Sequence, residues 1–255
     1  MNIILKNITI EVTRRCNLNC KHCMRGDCQN IDIDYRYIDL LLKRNHYIYK
    51  LFFSGGEPLL NTQAIIYAIN KIIEENLFVF SIGFNTNATI YDEKLISNLL
   101  KYQEYCLKKF PELYQSNDIS NSVGIIFSND QFHNYDPKII EKYKYLSDKI
   151  NFQKTGTLDE LEDEIILSGK AKENFYFGKY FNFENKTIEI EKLDSNSYLF
   201  SNYFYITSKG DITTQGDGSY IDMDHYNLGN LEEDSFYSFI AKNLSTNNKI
   251  KILKK

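Results

Sequence analysis

Four of the chain's five cysteines fall within thirteen residues, at Cys16, Cys20, Cys23 and Cys28, and the fifth, Cys106, stands far away. The first three are spaced C-x3-C-x2-C in Cys16-Asn17-Leu18-Asn19-Cys20-Lys21-His22-Cys23. An odd cysteine count behind no secretion signal speaks against a disulfide framework. The group therefore reads as a metal or redox site. Three thiolates on one short irregular loop can converge on one face of an iron–sulfur cube and leave one iron without a protein ligand. Four cysteines saturate a cluster and suit electron transfer. An open position is where chemistry takes place, as at catalytic zinc. Cys28 as a fourth ligand, or His22 on a zinc, would make a closed site instead. A zinc ribbon normally pairs two C-x2-C knuckles, and one is present here. Cys106 reads as a buried structural thiol, and Cys28 admits the same reading.

A second motif is Ser54-Gly55-Gly56-Glu57-Pro58, at the expected end of a strand. Its bland reading is an ordinary strand-to-helix turn. Two glycines also let backbone approach a ligand closely, and a fixed glutamate accepts hydrogen bonds from an ammonium group. Polar side chains end the next two strands. They are Asn85 and Asn87, then Ser128, Asp130 and His133 in Ser128-Asn129-Asp130-Gln131-Phe132-His133. Ser168-Gly169-Lys170-Ala171 ends a further strand. Arg25 follows the third cysteine and reads either as electrostatic support for a cluster or as a solvated loop residue.

The elements that must position these residues alternate. Strands are expected at Ile8–Val12, Ile48–Ser54, Phe78–Asn85, Ser122–Ser128, Ile150–Phe152 and Asp163–Ser168. Helices are expected at Asp34–Lys43, Thr62–Glu75, Asp92–Lys109 and Pro137–Asp148. Such alternation means βαβ crossovers and a parallel sheet. The predicted fold class is α/β, a partial (βα)6 TIM-like barrel over residues 1–179 with a small α+β cap over 180–255. The cap begins with a hairpin, Tyr203–Thr207 turning through Gly210 into Ile212–Thr214. A helix is expected over Leu231–Asn243, and the basic end is expected to fray.

Composition bounds the rest. The chain has 255 residues, 43% hydrophobic and 15% aromatic, which excludes a disordered tail. A net charge of −4 makes nucleic acid an unlikely partner. No apolar run reaches 18 residues, so no transmembrane helix and no membrane partner are expected, and a cytoplasmic location is.

The two motifs together resemble the radical SAM superfamily. That family carries C-x3-C-x-Φ-C, with an aromatic-type residue where His22 stands, in the loop after the first strand of an incomplete barrel. Its "GGEP" loop is matched here without departure. The resemblance implies a 4Fe–4S cluster on Cys16, Cys20 and Cys23, with the amine and carboxylate of S-adenosylmethionine on the fourth iron. One electron then cleaves the sulfonium, and the 5′-deoxyadenosyl radical abstracts hydrogen from a substrate. His22, Ser54, Gly55, Gly56, Glu57, Asn85, Asn87, Ser128, Asp130 and Gly169 are the implied cofactor-binding residues, with His133 and Lys170 on the substrate side. Lys170 replaces the arginine of a related "G-R-A" turn. A flavodoxin- or ferredoxin-type reductant is implied.

The segment Tyr203–Asn230 is similar to the hairpin that opens the cysteine-rich extension of peptide-modifying relatives. No cysteine follows Cys106, so ligands for a second cluster are lacking. The first strand starts by residue 8, which leaves no room for an N-terminal leader-peptide-binding domain. The lean is to peptide or protein modification. Alternatives are the same chemistry on a small molecule or nucleotide, a glycyl-radical activator, and a non-catalytic zinc or iron–sulfur module.

Overall fold

A computed structural model describes the chain except residues 1, 45–46, 116–117, 129–131, 134, 156–164, 176–177, 181–187, 195–196, 233–249 and 254–255. The elements run β1 (Asn2–Thr13), α1 (Tyr35–Arg44), β2 (Tyr47–Gly55), α2 (Thr62–Glu74), β3 (Phe78–Thr86), α3 (Glu93–Lys109) and α4 (Pro111–Gln115). They continue with β4 (Val123–Ser128), α5 (Pro137–Lys144), β5 (Asn151–Thr155), α6 (Gly169–Asn174), β6 (Ile188–Lys192), β7 (Ser197–Ile206), β8 (Ile212–Thr213), α7 (Tyr220–His225) and β9 (Ile250–Leu253). Asp92 caps α3 by accepting from the Leu95 amide, and Asp136 caps α5, where Pro137 needs no amide partner.

The described strands form one sheet in the order β5-β4-β3-β2-β1-β7-β6-β9, with β8 hydrogen-bonded to β7. Strands β1 to β5 pair in parallel, as crossover helices require. The α/β class with a parallel sheet of partial-barrel type is thus the observed one.

Three expectations change. Among the described residues no sixth strand follows β5 at the expected place, Asp163–Ser168, whose first two residues lie outside them. Ile166 makes a single parallel bridge to Lys179, because the Leu167 and Lys179 amides donate locally to the Lys179 and Ile165 carbonyls. The site for sheet growth is instead the other edge of β1, where β7 pairs in parallel from Asn2↔Ser197 to Ile10↔Ile206. This also explains why β1 starts at Asn2 and not at Ile8. The sheet therefore crosses the expected boundary between 179 and 180. Third, part of the C-terminal end is ordered: Ile250–Leu253 pairs with β6. The hairpin forms where expected, with Tyr205↔Thr213 and Ile206↔Ile212 antiparallel. The helix expected over Leu231–Asn243 falls largely outside the described residues.

Buried apolar residues on β1 fall at Leu5, Ile8, Ile10 and Val12, so the two-residue period slips once. The same slip separates Ile48 from Leu51 and Val79 from Ile82, at matched register. Beyond it, Ile8, Ile10, Val12, Leu51, Phe53, Ile82 and Phe84 form one face and join the core with α1, α2 and α3. Strand alternation then puts Thr9, Glu11, Thr13, Ser54 and Asn85 on the opposite face. That concave face, at the C-terminal strand ends, is where βα-barrel chemistry sits.

Because β7 belongs to the same sheet as β1, the segments before and after residue 180 unfold together. Phe204 on β7 is fully buried, and Phe204→Ala is expected to cost about 3–5 kcal/mol. Urea unfolding followed by fluorescence and circular dichroism should show one shifted transition. Two separated transitions would contradict the shared sheet.

Candidate functional site

Thr13 ends β1, and the chain leaves it as the cysteine loop. Cys16, Cys20 and Cys23 line one cavity of about 330 Å3, together with Cys28, Ser54, Gly55, Gly56, Glu57, Asn85, Asn87, Ser128, His133 and Lys170. Its volume lies within the range of small-molecule sites. The structure thus brings most of the sequence-predicted residues to one place. Asp130 lies outside the described residues. Cys106 is buried on α3, as expected of a structural thiol.

Two glycines dock the second motif onto the first. Gly55 has φ +152, and a Cβ there would stand 2.1 Å from the Thr13 carbonyl oxygen. A Cβ on Gly56 would stand 2.4 Å from the Arg15 carbonyl oxygen and 3.1 Å from the Cys16 Cβ. Any side chain would push the loops apart. In place of side chains, the Gly56 and Glu57 amides donate to the Thr13 and Arg15 carbonyls at 3.0 and 2.8 Å.

Glu57 is 1% exposed. Its Oε1 accepts from the Leu59 amide at 3.1 Å and the Thr86 hydroxyl at 2.9 Å, and its Oε2 accepts from the Asn87 amide at 2.7 Å. Burial nevertheless pushes its carboxyl up to about 7, against the pull of those hydrogen bonds. The two strand-end asparagines differ. The Asn87 side chain is used in joining loops, donating to Asn17 Oδ1 at 2.9 Å and accepting from Thr89. Asn85 Oδ1 is buried with no partner, an acceptor left open toward the cavity.

The far side of the cysteine loop is gripped by α6. The Lys170 amide donates to the Cys23 carbonyl at 3.0 Å. Lys170 Nζ hydrogen-bonds Asn19 Oδ1 and pairs with Asp27 at 2.8 Å. Asn174 Nδ2 donates to the Lys21 carbonyl at 3.2 Å. A Cβ on Gly169, which has φ +53, would stand 2.3 Å from the Gly26 amide nitrogen and 2.6 Å from the Met24 carbonyl oxygen. Gly169 therefore serves close loop packing, and it lines an adjoining cleft with Arg25, Gly26 and Lys170. Lys170 lines the cavity but is engaged on the cysteine loop, not held free for substrate. His22 stacks on Phe132 at 4.5 Å and meets His133 edge-on at 4.9 Å.

Residues the sequence reading missed lie beneath the loop. Glu11 is fully buried. It accepts from Arg14 Nε at 2.6 Å, from the Ser208 amide and hydroxyl at 3.0 and 2.8 Å, and from the Tyr205 hydroxyl at 3.0 Å. Arg14, also fully buried, forks onto Asp224 at 2.7 and 3.1 Å and stands over the Tyr220 ring at 4.6 Å. The signal for Glu11 was its position on the polar face of an otherwise apolar strand, three residues before an arginine.

Comparison with known proteins agrees with this arrangement. The family model of the radical SAM superfamily matches residues 10–107, the stretch from β1 through α3 that carries both motifs. Over this stretch the chain is a radical SAM superfamily domain. Enzymes of this superfamily use a 4Fe–4S cluster and S-adenosylmethionine. The chain is 37% identical over 101 residues to the uncharacterized protein MJ0907 of Methanocaldococcus jannaschii, covering 37% of this chain and 35% of that protein. It is 22% identical over 241 residues to the radical SAM cyclopropyl synthase TigE of Paramaledivibacter caminithermalis, covering 80% of this chain and 50% of that one. The matches thus span half or less of these curated relatives. A solved structure, native anSMEcpe with bound AdoMet and Cp18Cys peptide, shares the fold at TM-score 0.52 and 16% identity, over 96% of this chain and 81% of that chain. Among the described residues no helix is long and apolar enough to cross a membrane.

The donor set fits the superfamily's cofactors. Four thiols, three of them at the C-x3-C-x2-C spacing, line one cavity with an unpartnered acceptor at Asn85. Among the described residues no three His, Cys, Asp or Glu side chains surround a single point as ligands of one ion. A cuboid cluster does not ask that of them, since each thiolate takes a different iron.

Glu57 yields a pH prediction. Its folded pKa of about 7 lies above the ordinary value of 4.5, so the folded chain holds a proton that the unfolded chain has released. The associated stability is full below pH 4.5 and is lost as pH rises through 7. The apo protein should therefore be less stable at pH 8 than at pH 6, by about 1 kcal/mol. Glu57→Gln should flatten that slope. Urea midpoints of both proteins at the two pH values check this, and parallel slopes would contradict it.

Proposed function

We propose that this protein is a one-cluster radical SAM enzyme that acts on a peptide or protein. The observation that carries the reading is the convergence of two separate motifs. Cys16, Cys20 and Cys23 share one cavity with Gly55, Gly56 and Glu57, at the C-terminal ends of parallel strands. The peptide lean draws support from anSMEcpe, whose structure holds a peptide, and from the β7–β8 hairpin beside the site.

When bound, the cluster and S-adenosylmethionine supply a 5′-deoxyadenosyl radical that takes a hydrogen atom from substrate. The chain's own residues prepare for this. Cys16, Cys20 and Cys23 would hold the cluster as thiolates. Burial pushes the Cys16 thiol up, so metal binding must pull off its proton. Glu57, fixed by three donors, would accept from the cofactor's ammonium group, a charge-assisted contact in a dry site. The Asn85 oxygen would take a hydroxyl or amine donor of the cofactor. Ser128 and His133 line the opposite wall. α6 and the C-terminal segment hold the cysteine loop still, which orients the cofactor and limits water. An electron enters from a flavodoxin- or ferredoxin-type reductant.

Anaerobically reconstituted, reduced protein should convert S-adenosylmethionine to 5′-deoxyadenosine, read by liquid chromatography. Cys20→Ala should abolish this, and Glu57→Gln should raise the concentration needed for half-maximal cleavage about tenfold or more, as for loss of a buried charged contact. No 5′-deoxyadenosine from loaded wild type, or full activity in Cys20→Ala, would overturn the reading. Peptide specificity is checked with perdeuterated precursor peptides, by deuterium appearing in the 5′-deoxyadenosine product, which deuterated nucleotides should not give.

A further inference from the structure

Arg25 lies two residues past Cys23, lines the cavity and is 7% exposed. A buried arginine is usually paired with a carboxylate. This one rests on neutral groups. Its Nη1 donates to the Gly218 carbonyl at 3.3 Å and to Met223 Sδ at 3.1 Å, and its guanidinium stands 5.0 Å above the Tyr205 ring. Among the described residues no carboxylate pairs with it directly. All three anchors come from the C-terminal segment, and the Tyr220 amide completes the grip by donating to the Arg25 carbonyl at 3.1 Å.

The surrounding charges do not cancel it. Glu11 and the partly exposed Asp224 are the carboxylates around Arg14, and Arg14, Arg25 and the half-exposed Lys209 are the cations there. Glu11 is already committed to Arg14, and Asp224 to Arg14 and Lys209. Among the described residues Arg25 has no carboxylate of its own, and it sits in the wall of the cavity that Cys16, Cys20, Cys23 and Cys28 line. A desolvated cation is costly unless negative charge arrives to meet it. Three thiolates on an iron–sulfur cluster bring that charge.

We propose that Arg25 is a positioning residue for charge: held under the cysteine loop by Tyr205, Gly218 and Met223, it raises the reduction potential of the cluster. The inference rests on the cluster reading above. Its physical basis is that nearby positive charge favours the reduced, more negative cluster, and that low dielectric lets this act without direct contact. The C-terminal segment thereby becomes part of the redox site, besides covering it.

The test is a spectroelectrochemical titration of the anaerobically reconstituted full chain, without added substrate. Arg25→Met should shift the potential negative. Arg25→Lys, which keeps the charge, should stay closer to wild type. Glu11→Gln removes a nearby negative charge and should shift the potential positive. Damage to packing would move the Met and Gln variants in the same direction. An Arg25→Met potential equal to wild type, or shifts of one sign in both variants, overturns the inference. If Arg25→Met takes up no iron, Glu11→Gln and Arg25→Lys decide: a positive shift in the first with little change in the second supports it, and a Glu11→Gln potential at or below wild type overturns it. Wild-type protein that assembles no four-iron cluster would instead remove the functional reading on which this one stands.

Discussion

Two opposite charges, Glu11 and Arg14, are sealed completely from water at 2.6 Å from each other. Removing two ions from water costs several kcal/mol each, and their attraction repays this only when the remaining lone pairs and N–H groups are also met. The partners that meet them come from distant parts of the chain. Tyr205 and Ser208 belong to β7 and the turn after it, and Asp224 belongs to α7. The charge pair on β1 can therefore be buried only if the C-terminal segment is docked. This one condition ties together the strand that launches the cysteine loop, the sheet edge that β7 occupies and the helix that closes beneath the loop.

The loop inherits its shape from that arrangement. Beyond Arg14 its own backbone hydrogen bonds are short turns, such as the Cys23 amide on the Cys20 carbonyl at 3.2 Å and the Gly26 amide on the Cys23 carbonyl at 3.3 Å, and it is held from three sides. Gly55, Gly56 and Glu57 press against its start, Asn87 takes Asn17, and α6 takes Asn19, Lys21, Cys23 and Asp27. Thiolates that must each meet a different iron need this kind of support, because a ligand displaced by an ångström binds poorly. The carboxylate of Glu57 shows the same economy. It joins the loop after β2 to the loop after β3 and still faces the cavity.

Much of this was legible in the residues. The spacing of Cys16, Cys20 and Cys23 and the run Gly55-Gly56-Glu57-Pro58 marked the site, and periodicity marked β2 to β5 to within a few residues and the second half of β1. What was not legible depended on distant contacts. Asp163–Ser168 has the composition of a strand, yet nothing local shows that Ile166 pairs only with Lys179 and that the sheet grows from β1 through β7 instead. Gly169 and Lys170 were read as cofactor and substrate residues because of their position at an expected strand end. Their contacts with Met24, Gly26, Asn19 and Asp27 arise from segments about 150 residues apart. Arg25 was ambiguous for the same reason: its burial is made by Tyr205, Gly218 and Met223. Glu11 alone carried a local sign, a carboxylate in an apolar strand, and its meaning lay in partners nearly 200 residues away.

The central claim is that three cysteines on one loop hold a four-iron cluster whose fourth iron is left for S-adenosylmethionine. Mössbauer spectroscopy of 57Fe-reconstituted wild-type chain, with and without S-adenosylmethionine, tests this most directly. The account predicts one iron site whose isomer shift and quadrupole splitting change on adding the cofactor while the other three stay as they were. A four-iron cluster indifferent to the cofactor, or a chain that binds zinc in place of iron, would contradict it.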